Sequence, residues 1–570
     1  MRYTLFSIIF LSGLIFTACG DGETVVEDLV ANGGKKYGGE FKFMSTEKIT
    51  SLMPSSSADQ YSSRIVSQLY ESLLRLEPSS MKVVPSIAES FDVSDDAKVY
   101  TFKIRKGVKF HPDECIAENQ EVDAHDVKFS LEMACSGLKS NRVAYLLVNR
   151  IKGAAEFNKK STSSLPKSGV SGIKVIDDHT VQITLVNSFS GFENILSHSS
   201  LGIFPEEAWK KYGEGMSKHA VGTGPFALES MSDEKIVLTR NNNYWRKDEF
   251  GNQLPFLSKV VMTYTQDKRS ELMAFRKSEI DLVLEIPVDD IEHILGTLQE
   301  AQDGKNVKHK VESCPSMSMN YIAMAINSPE FSDVRVRRAF NLALDRDEII
   351  DSYMEGEGWP ANNGFVPAMQ NYPHEKVKGH HFNPDMAKSL MREAGFADGK
   401  GFPVLDFYVN TVQGSPAHQM CKAIAAQIKK NLNVTLNIKL CTIDEREAAI
   451  SSGAAKIWRA GWIADYPDPE NFLAMFYGGN ISNQSSMMNR FKFQSDAYDA
   501  LFEKALLESD HEKRTALLVK CDQMVIDEAA LMPIMTDDHI VMINARVRDF
   551  KANSMESLNL TEIFIKEPKK

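Results

Sequence analysis

The stretch Gly461-Trp462-Ile463-Ala464-Asp465-Tyr466-Pro467-Asp468-Pro469-Glu470-Asn471-Phe472-Leu473 gathers the groups in this chain best suited to hold a ligand. Pro467 and Pro469 fix φ and forbid a continuous helix across them, so the segment is a stiff turn. A carboxylate such as Asp465, held on stiff backbone beside Trp462 and Tyr466, suits the capture of a cationic group. The same composition also describes a surface turn in which Asp465 bonds its own backbone. The residues alone leave both readings open.

No catalytic constellation accompanies this segment. H-E-x-x-H, G-x-S-x-G and a P-loop are missing, and the cysteines have no evident base partner, so no enzyme is expected. Val221-Gly222-Thr223-Gly224-Pro225-Phe226 lacks the further glycines and the Lys of a phosphate cradle. Its glycines suit a tight turn needing positive φ or close backbone approach. His374, His380 and His381 cluster without carboxylate–histidine spacing, so neither a metal nor another cofactor is expected. Arg335, Arg337 and Arg338 read as a solvated helix face with structural ion pairs. Besides Cys19 there are Cys115, Cys135, Cys314, Cys421, Cys441 and Cys521, none in C-x-x-C spacing. Cys115–Cys135 and Cys421–Cys441 are the nearest pairs if bridges form, and free buried thiols fit equally well.

A net charge of −12 argues against a nucleic-acid partner, because phosphate binding needs a basic surface. Apolar content of 43% and charged content of 25% are those of a soluble globular protein. Beyond the N-terminal segment, about 550 residues exceed what one core usually supports, so two or three domains are expected. Residues 1–18 carry one charge, Arg2, before an apolar run from Leu5 to Phe16, the pattern of a secretory signal peptide. Phe16-Thr17-Ala18-Cys19-Gly20 resembles a bacterial lipobox, with Phe16 in place of the usual Leu. That resemblance implies cleavage before Cys19 and diacylglycerol attachment to its thiol. Residues 19–38 have too few apolar groups to pack and read as a lipidated flexible tether. The protein is then expected to sit on a membrane without spanning it.

Along the chain, Glu40-Phe41-Lys42-Phe43-Met44 alternates like a half-buried strand. Ile65, Val66, Leu69, Leu73 and Leu74 predict a helix over Ser63 to Leu76. Val84-Pro85-Ser86-Ile87-Ala88-Glu89-Ser90-Phe91 follows. Val99-Tyr100-Thr101-Phe102-Lys103-Ile104 and Val108-Lys109-Phe110-His111 read as a strand pair, and Asp123 as the N-cap of the next helix. Tyr498 through Val525 reads as two consecutive helices.

Residues 84–130 resemble the opening of the family 5 extracellular solute-binding proteins, the oligopeptide, dipeptide and nickel binders that feed ABC importers. The resemblance continues through Gly222-Thr223-Gly224-Pro225-Phe226, Asn243-Tyr244-Trp245, Glu279-Ile280-Asp281-Leu282, Phe331 to Ala339, Asn383 to Phe396 and Leu531-Met532-Pro533-Ile534. Several blocks in register from about residue 40 to the C-terminus make it specific.

The resemblance implies an α/β, two-lobed periplasmic-binding-protein fold (type II, cluster C) with an extra inserted domain. Residues 39–73, 206–305 and 535–570 would form a discontinuous lobe I, 74–205 the inserted accessory domain, and 306–534 lobe II. It implies a monomer that captures oligopeptides in the cleft and hands them to ABC permease subunits. Asp465 takes the place of the family's ammonium-binding Asp, with Trp462, Tyr466 and Pro469 matching. Asn320 and Tyr321 match a strand that supplies edges to the peptide backbone. Thr411-Val412-Gln413-Gly414-Ser415 lacks the Arg that clamps a dipeptide's carboxylate, so longer peptides fit better. An oligosaccharide, an opine-like compound or a metal chelate is the alternative solute.

Overall fold

The computed structural model describes residues 30–57, 59–189, 191–265, 267–284, 309–354, 358–369, 372–481, 488–508 and 510–566. The leader, Cys19 and most of the tether lie outside them. Two large mixed sheets organise the chain. The first runs, in spatial order, His309–Pro315, Asp538–Asn544, Leu282–Val283, Glu40–Ser45, Lys259–Tyr264, Lys235–Arg240 and Phe226–Met231. The second runs Trp359–Pro360, Leu531–Thr536, Ser318–Met324, Ile457–Ile463, Leu405–Asn410 and Leu436–Cys441. A smaller antiparallel sheet, Ala88–Val93, Val99–Ile104, Thr180–Thr184 and Ile173–Asp177, is built from a stretch between the first two strands of the first sheet. The chain crosses between the large sheets at Ser316-Met317 and at Asp537, and the Ser316 N–H donates to the Asp537 carbonyl at 3.0 Å.

Helix α1 (Gln60–Leu69) is capped by the Asp59 carboxylate, which accepts from the Ser62 N–H at 2.8 Å. It ends at Leu69, earlier than the apolar spacing predicts. Leu73 and Leu74 are buried in the same core, but from extended chain and the Leu74–Leu76 strand. The cause is the Gly222-Thr223-Gly224 turn, which packs on the last carbonyls of α1. Gly224 N–H donates to Leu69 O at 3.0 Å, and a Cβ on Gly222 would stand 2.1 Å from that oxygen. These glycines serve close approach, one of the two reasons the sequence offers.

Val108 to His111 forms no strand ladder; Lys109 makes an isolated bridge to Glu121. His111 instead joins the glycine turn, its N–H donating to Gly222 O at 2.7 Å and its Nε2 lying 3.0 Å from Gly224 O. Burial holds the His111 pKa down at about 4. The unfolded chain therefore binds an extra proton below about pH 6.5, and stability is lost as pH falls from there toward 4. Chemical denaturation between pH 7 and 4.5 reads this loss. His111→Gln, which keeps a donor and removes the titration, is expected to flatten that slope, and an unchanged slope counts against the assignment.

Helix α2 (Ala124–Cys135) carries a reciprocal capping box between Asp123 and Asp126. Strand β1 (Ser318–Met324) is buried throughout. Helix α3 (Val334–Leu342) follows, and its arginines are less solvated than their sequence suggests. Arg337 is 4% exposed, donates to the Phe331 and Glu528 carbonyls and pairs with the Glu528 carboxylate at 3.6 Å, Arg338 donates to Asp527 O, and Arg335 makes an ion pair with Asp333. Strand β2 (Ile457–Ile463) pairs antiparallel with β1. Helix α4 (Pro469–Leu473) and the consecutive helices α5 (Asp496–Leu507) and α6 (His511–Asp527) complete the surroundings of the Pro-rich turn. Cys115, Cys135, Cys314, Cys421, Cys441 and Cys521 are all free. Among the described residues no helix is long and apolar enough to cross a membrane.

Candidate functional site

The Pro-rich turn leaves the end of β2 and is held by its own side chains. Asn471 lies at its centre: its Oδ1 accepts from the Asp465 N–H at 3.1 Å and from the Trp462 indole at 2.8 Å. Its Nδ2 donates back to Asp465 Oδ2 at 3.1 Å. Asp468 caps α4 by accepting from the Glu470 N–H at 2.9 Å. It also takes two hydrogen bonds from Arg514 of α6, both at 2.9 Å. Glu470, 1% exposed, pairs with Arg150 at 2.7 Å and accepts from the Tyr466 hydroxyl. The turn is thus fixed to α6 on one side and to the 142–150 segment on the other, which determines where Asp465 points.

Asp465 lines a cavity of about 550 Å³ against the second large sheet. Gln60 of α1, Arg142, Tyr145, Asn320 of β1 and Arg459 of β2 share its wall. The Tyr145 hydroxyl donates to Asp465 Oδ2 at 3.0 Å. Burial and the adjacent Asp465 charge keep the Tyr145 pKa well above its usual value, so it stays a donor. Among the described residues, Asp465 Oδ1 takes no hydrogen bond and Asp465 has no ion-pair partner. A carboxylate in that condition, opening on a cavity, is chemically able to accept a cationic donor.

Asn320 faces the same space. Its Nδ2 donates to both Asp537 oxygens at 2.9 and 2.8 Å, and its Oδ1 accepts from Arg459 Nη2 at 3.0 Å. The buried Nε of Arg459 has no partner among the described residues. Burial raises the Asp537 pKa, and Asp537 is the residue where the chain crosses between sheets. Strand β1 is paired on both sides, by β2 and by Leu531–Thr536, so it offers no free edge. The open edge belongs to β2: its pairs with Leu405–Asn410 are Ile457 and Trp458, and Gly461 and Ile463 are exposed.

Of the residues singled out by sequence, Asp465, Trp462 and Asn320 meet at this cavity. Tyr466 is 2% exposed and turns toward Arg150 and Glu470, lining a neighbouring cavity of about 420 Å³. Tyr321, on the opposite face of β1 from Asn320, packs edge-on against Phe365 in the core. Cys19 lies outside the described residues. His380 Nε2 donates to Ile526 O, and no group of three or more His, Cys, Asp or Glu able to hold a metal occurs among the described residues. Tyr145, Arg459, Asn471 and Asp537 join this cavity or its supports without having stood out in the sequence. Asn471 sits in the same motif as Asp465, and Arg459 precedes Trp462 on β2, so position within one strand-turn unit was the available signal for those two.

A family model described as "Bacterial extracellular solute-binding proteins, family 5 Middle" matches residues 82–484. Di/tripeptide-binding protein 3 of Pseudomonas aeruginosa is 27% identical over 489 residues, covering 85% of this chain and 86% of its own. The periplasmic oligopeptide-binding protein OppA of Escherichia coli is 28% identical over 505 residues, covering 85% of each. In fold, the chain resembles the ABC transporter-associated periplasmic binding protein DppA from Helicobacter pylori in complex with peptide STSA. The TM-score is 0.77, the identity 24%, and the match covers 93% of this chain and 99% of that one.

Proposed function

The chain belongs to the bacterial extracellular solute-binding proteins of family 5, and on that premise we propose that it captures oligopeptides in the interlobe cleft and delivers them to an ABC permease. The observation that carries the reading is Asp465, a carboxylate with one oxygen still able to accept, facing a cavity of about 550 Å³. A peptide places its α-ammonium there. The open edge of β2 pairs with its backbone, giving affinity without reading side chains. The names of the peptide-binding relatives support this solute class.

Arg459 gives the other end of the site. It lies six positions before Asp465, roughly 20 Å of extended chain before the reach of the two side chains is subtracted. Its Nη1, which takes part in no hydrogen bond among the described residues, suits the ligand's carboxylate, and the remaining span fits a peptide of about three to five residues. The lobes close on the ligand about the crossings at Ser316-Met317 and Asp537, with closure favoured by tighter binding to the closed form. Processing before Cys19 and acylation of its thiol tether the protein to the membrane on the extracytoplasmic side.

Native mass spectrometry of freshly purified, membrane-extracted protein tests both parts. The expected spectrum shows a ladder of co-purified peptide masses on a chain that starts at Cys19 and carries lipid. A single non-peptide mass overturns the peptide reading, and an unmodified N-terminus overturns the anchor.

A further inference from the structure

Asp465 also lines a second cavity, of about 220 Å³, between α1, the Leu74–Leu76 strand and residues 555–561. Its acids are engaged except at Asp465 Oδ1. Asp465 Oδ2 is held by Tyr145 and Asn471; Glu71 accepts from Tyr244, Trp245 and Thr223; Glu556 accepts from Gln60 and Ser316. Its bases are Arg64, Arg75, Arg246 and His198; Arg246 donates to Glu562 at 2.9 Å, and His198 Nδ1 lies against the Ser200 hydroxyl.

Arg75 differs from these. Its guanidinium has no hydrogen bond or ion pair among the described residues, and its Nε is buried. The hydroxyl of Ser86, a residue fully buried in the wall of the same cavity, is also without a partner. Buried donors without acceptors are rare in native proteins because each is costly, most of all a charged one. Donors converging on one cavity, with the charge of Arg246 nearby, call for an acceptor-rich anionic group.

We propose that this cavity is an anion subsite of the cleft, in which Arg75 and Ser86 take a carboxylate carried on the first residue of a ligand whose ammonium meets Asp465. It rests on the ammonium reading of Asp465, and makes the protein selective for peptides with an acidic N-terminal side chain.

Isothermal titration at pH 7 with Glu-Ala-Ala-Ala and Gln-Ala-Ala-Ala tests it. The wild-type protein is expected to bind the Glu peptide about tenfold or more tightly, the lower end for a charge-assisted hydrogen bond. Arg75→Gln is expected to erase that preference while leaving the Gln peptide unaffected, and Arg75→Lys to keep part of it. Equal binding by the wild type, or equal weakening of both peptides in Arg75→Gln, overturns the proposal. So does an Arg75-dependent titration by inorganic phosphate alone with no preference between the peptides, which would mark a site for a free anion. Asp465→Ala separates the two readings: it is expected to weaken both peptides and preserve their ratio. A preserved ratio with no weakening would sink the ammonium contact and leave the subsite standing.

Discussion

Asp465→Ala is expected to weaken the binding of unmodified peptides by about 10- to 150-fold, the loss of one charge-assisted hydrogen bond contributing about 1.5–3 kcal/mol. The effect is specific to the amino end. An N-acetylated peptide has no ammonium to offer, so it is expected to bind the wild type weakly and the variant no worse. The contrast between the two peptides in the two proteins is a double-mutant cycle, and its coupling term isolates the contact. Calorimetry or intrinsic Trp fluorescence reads it. A coupling near zero would mean that Asp465 holds the site in shape without touching ligand. The structure permits that alternative a defined size. Asp465 Oδ2 accepts from Tyr145 and Asn471, so its removal leaves two donors facing a cavity that water can enter. Such a loss is common to every ligand and cancels in the cycle.

How far the site was legible in the sequence follows from how its residues are spaced. Trp462, Asp465 and Asn471 belong to one strand-turn unit, where two prolines restrict the backbone and a short polar side chain can close the loop. Asp465 was therefore visible as a candidate ligand group, although the same pattern placed Tyr466 at the cavity, where its side chain does not lie. The Tyr466 side chain faces the Arg150 and Glu470 pair instead. Tyr145 was invisible because it meets Asp465 across 320 residues of chain, and nothing local in Val143-Ala144-Tyr145-Leu146 distinguishes it from core. Asp537 was hidden for the same reason, with Asn320 its partner across 217 residues.

The elements show a parallel division. The capped helix at Asp123 and the helices Asp496–Leu507 and His511–Asp527 follow from local periodicity and capping, which are short-range physics. The end of α1 does not. Leu73 and Leu74 extend its apolar stripe, yet the helix stops where Gly222 and Gly224 cover the carbonyls at Gln68 and Leu69. A tertiary contact from about 150 residues away overrides a helical pattern that propensity alone would continue. The segment Val108 to His111 shows the same effect, its alternation serving a buried knot around the glycine turn in place of a ladder.

Asp468→Ala is expected to destabilise the protein by about 3–5 kcal/mol, because it strands a buried guanidinium. Arg514 is 2% exposed and gives both terminal nitrogens to Asp468, itself 5% exposed. Its Nε already lies buried without a hydrogen-bond partner among the described residues, so Glu470 and Glu193 nearby are the charges left to offset it. Asp468→Ala with Arg514→Met removes both charges at similar volume, and is expected to recover most of the loss. The midpoint of urea unfolding, followed by far-ultraviolet circular dichroism, measures both variants. A double variant as unstable as the single one would show that the loss comes from the α4 cap, where Asp468 accepts from the Glu470 N–H, and not from the stranded charge. The pair also bears on binding. Asp468 and Arg514 anchor the turn three residues beyond Asp465, so the destabilised single variant is expected to bind peptide more weakly even at temperatures where it remains folded. The double variant restores the fold without restoring the tie to α6. If its affinity stays low while its unfolding midpoint recovers, the ion pair serves chiefly to hold Asp465 in position, and its presence in the interior is explained by the site and not by stability.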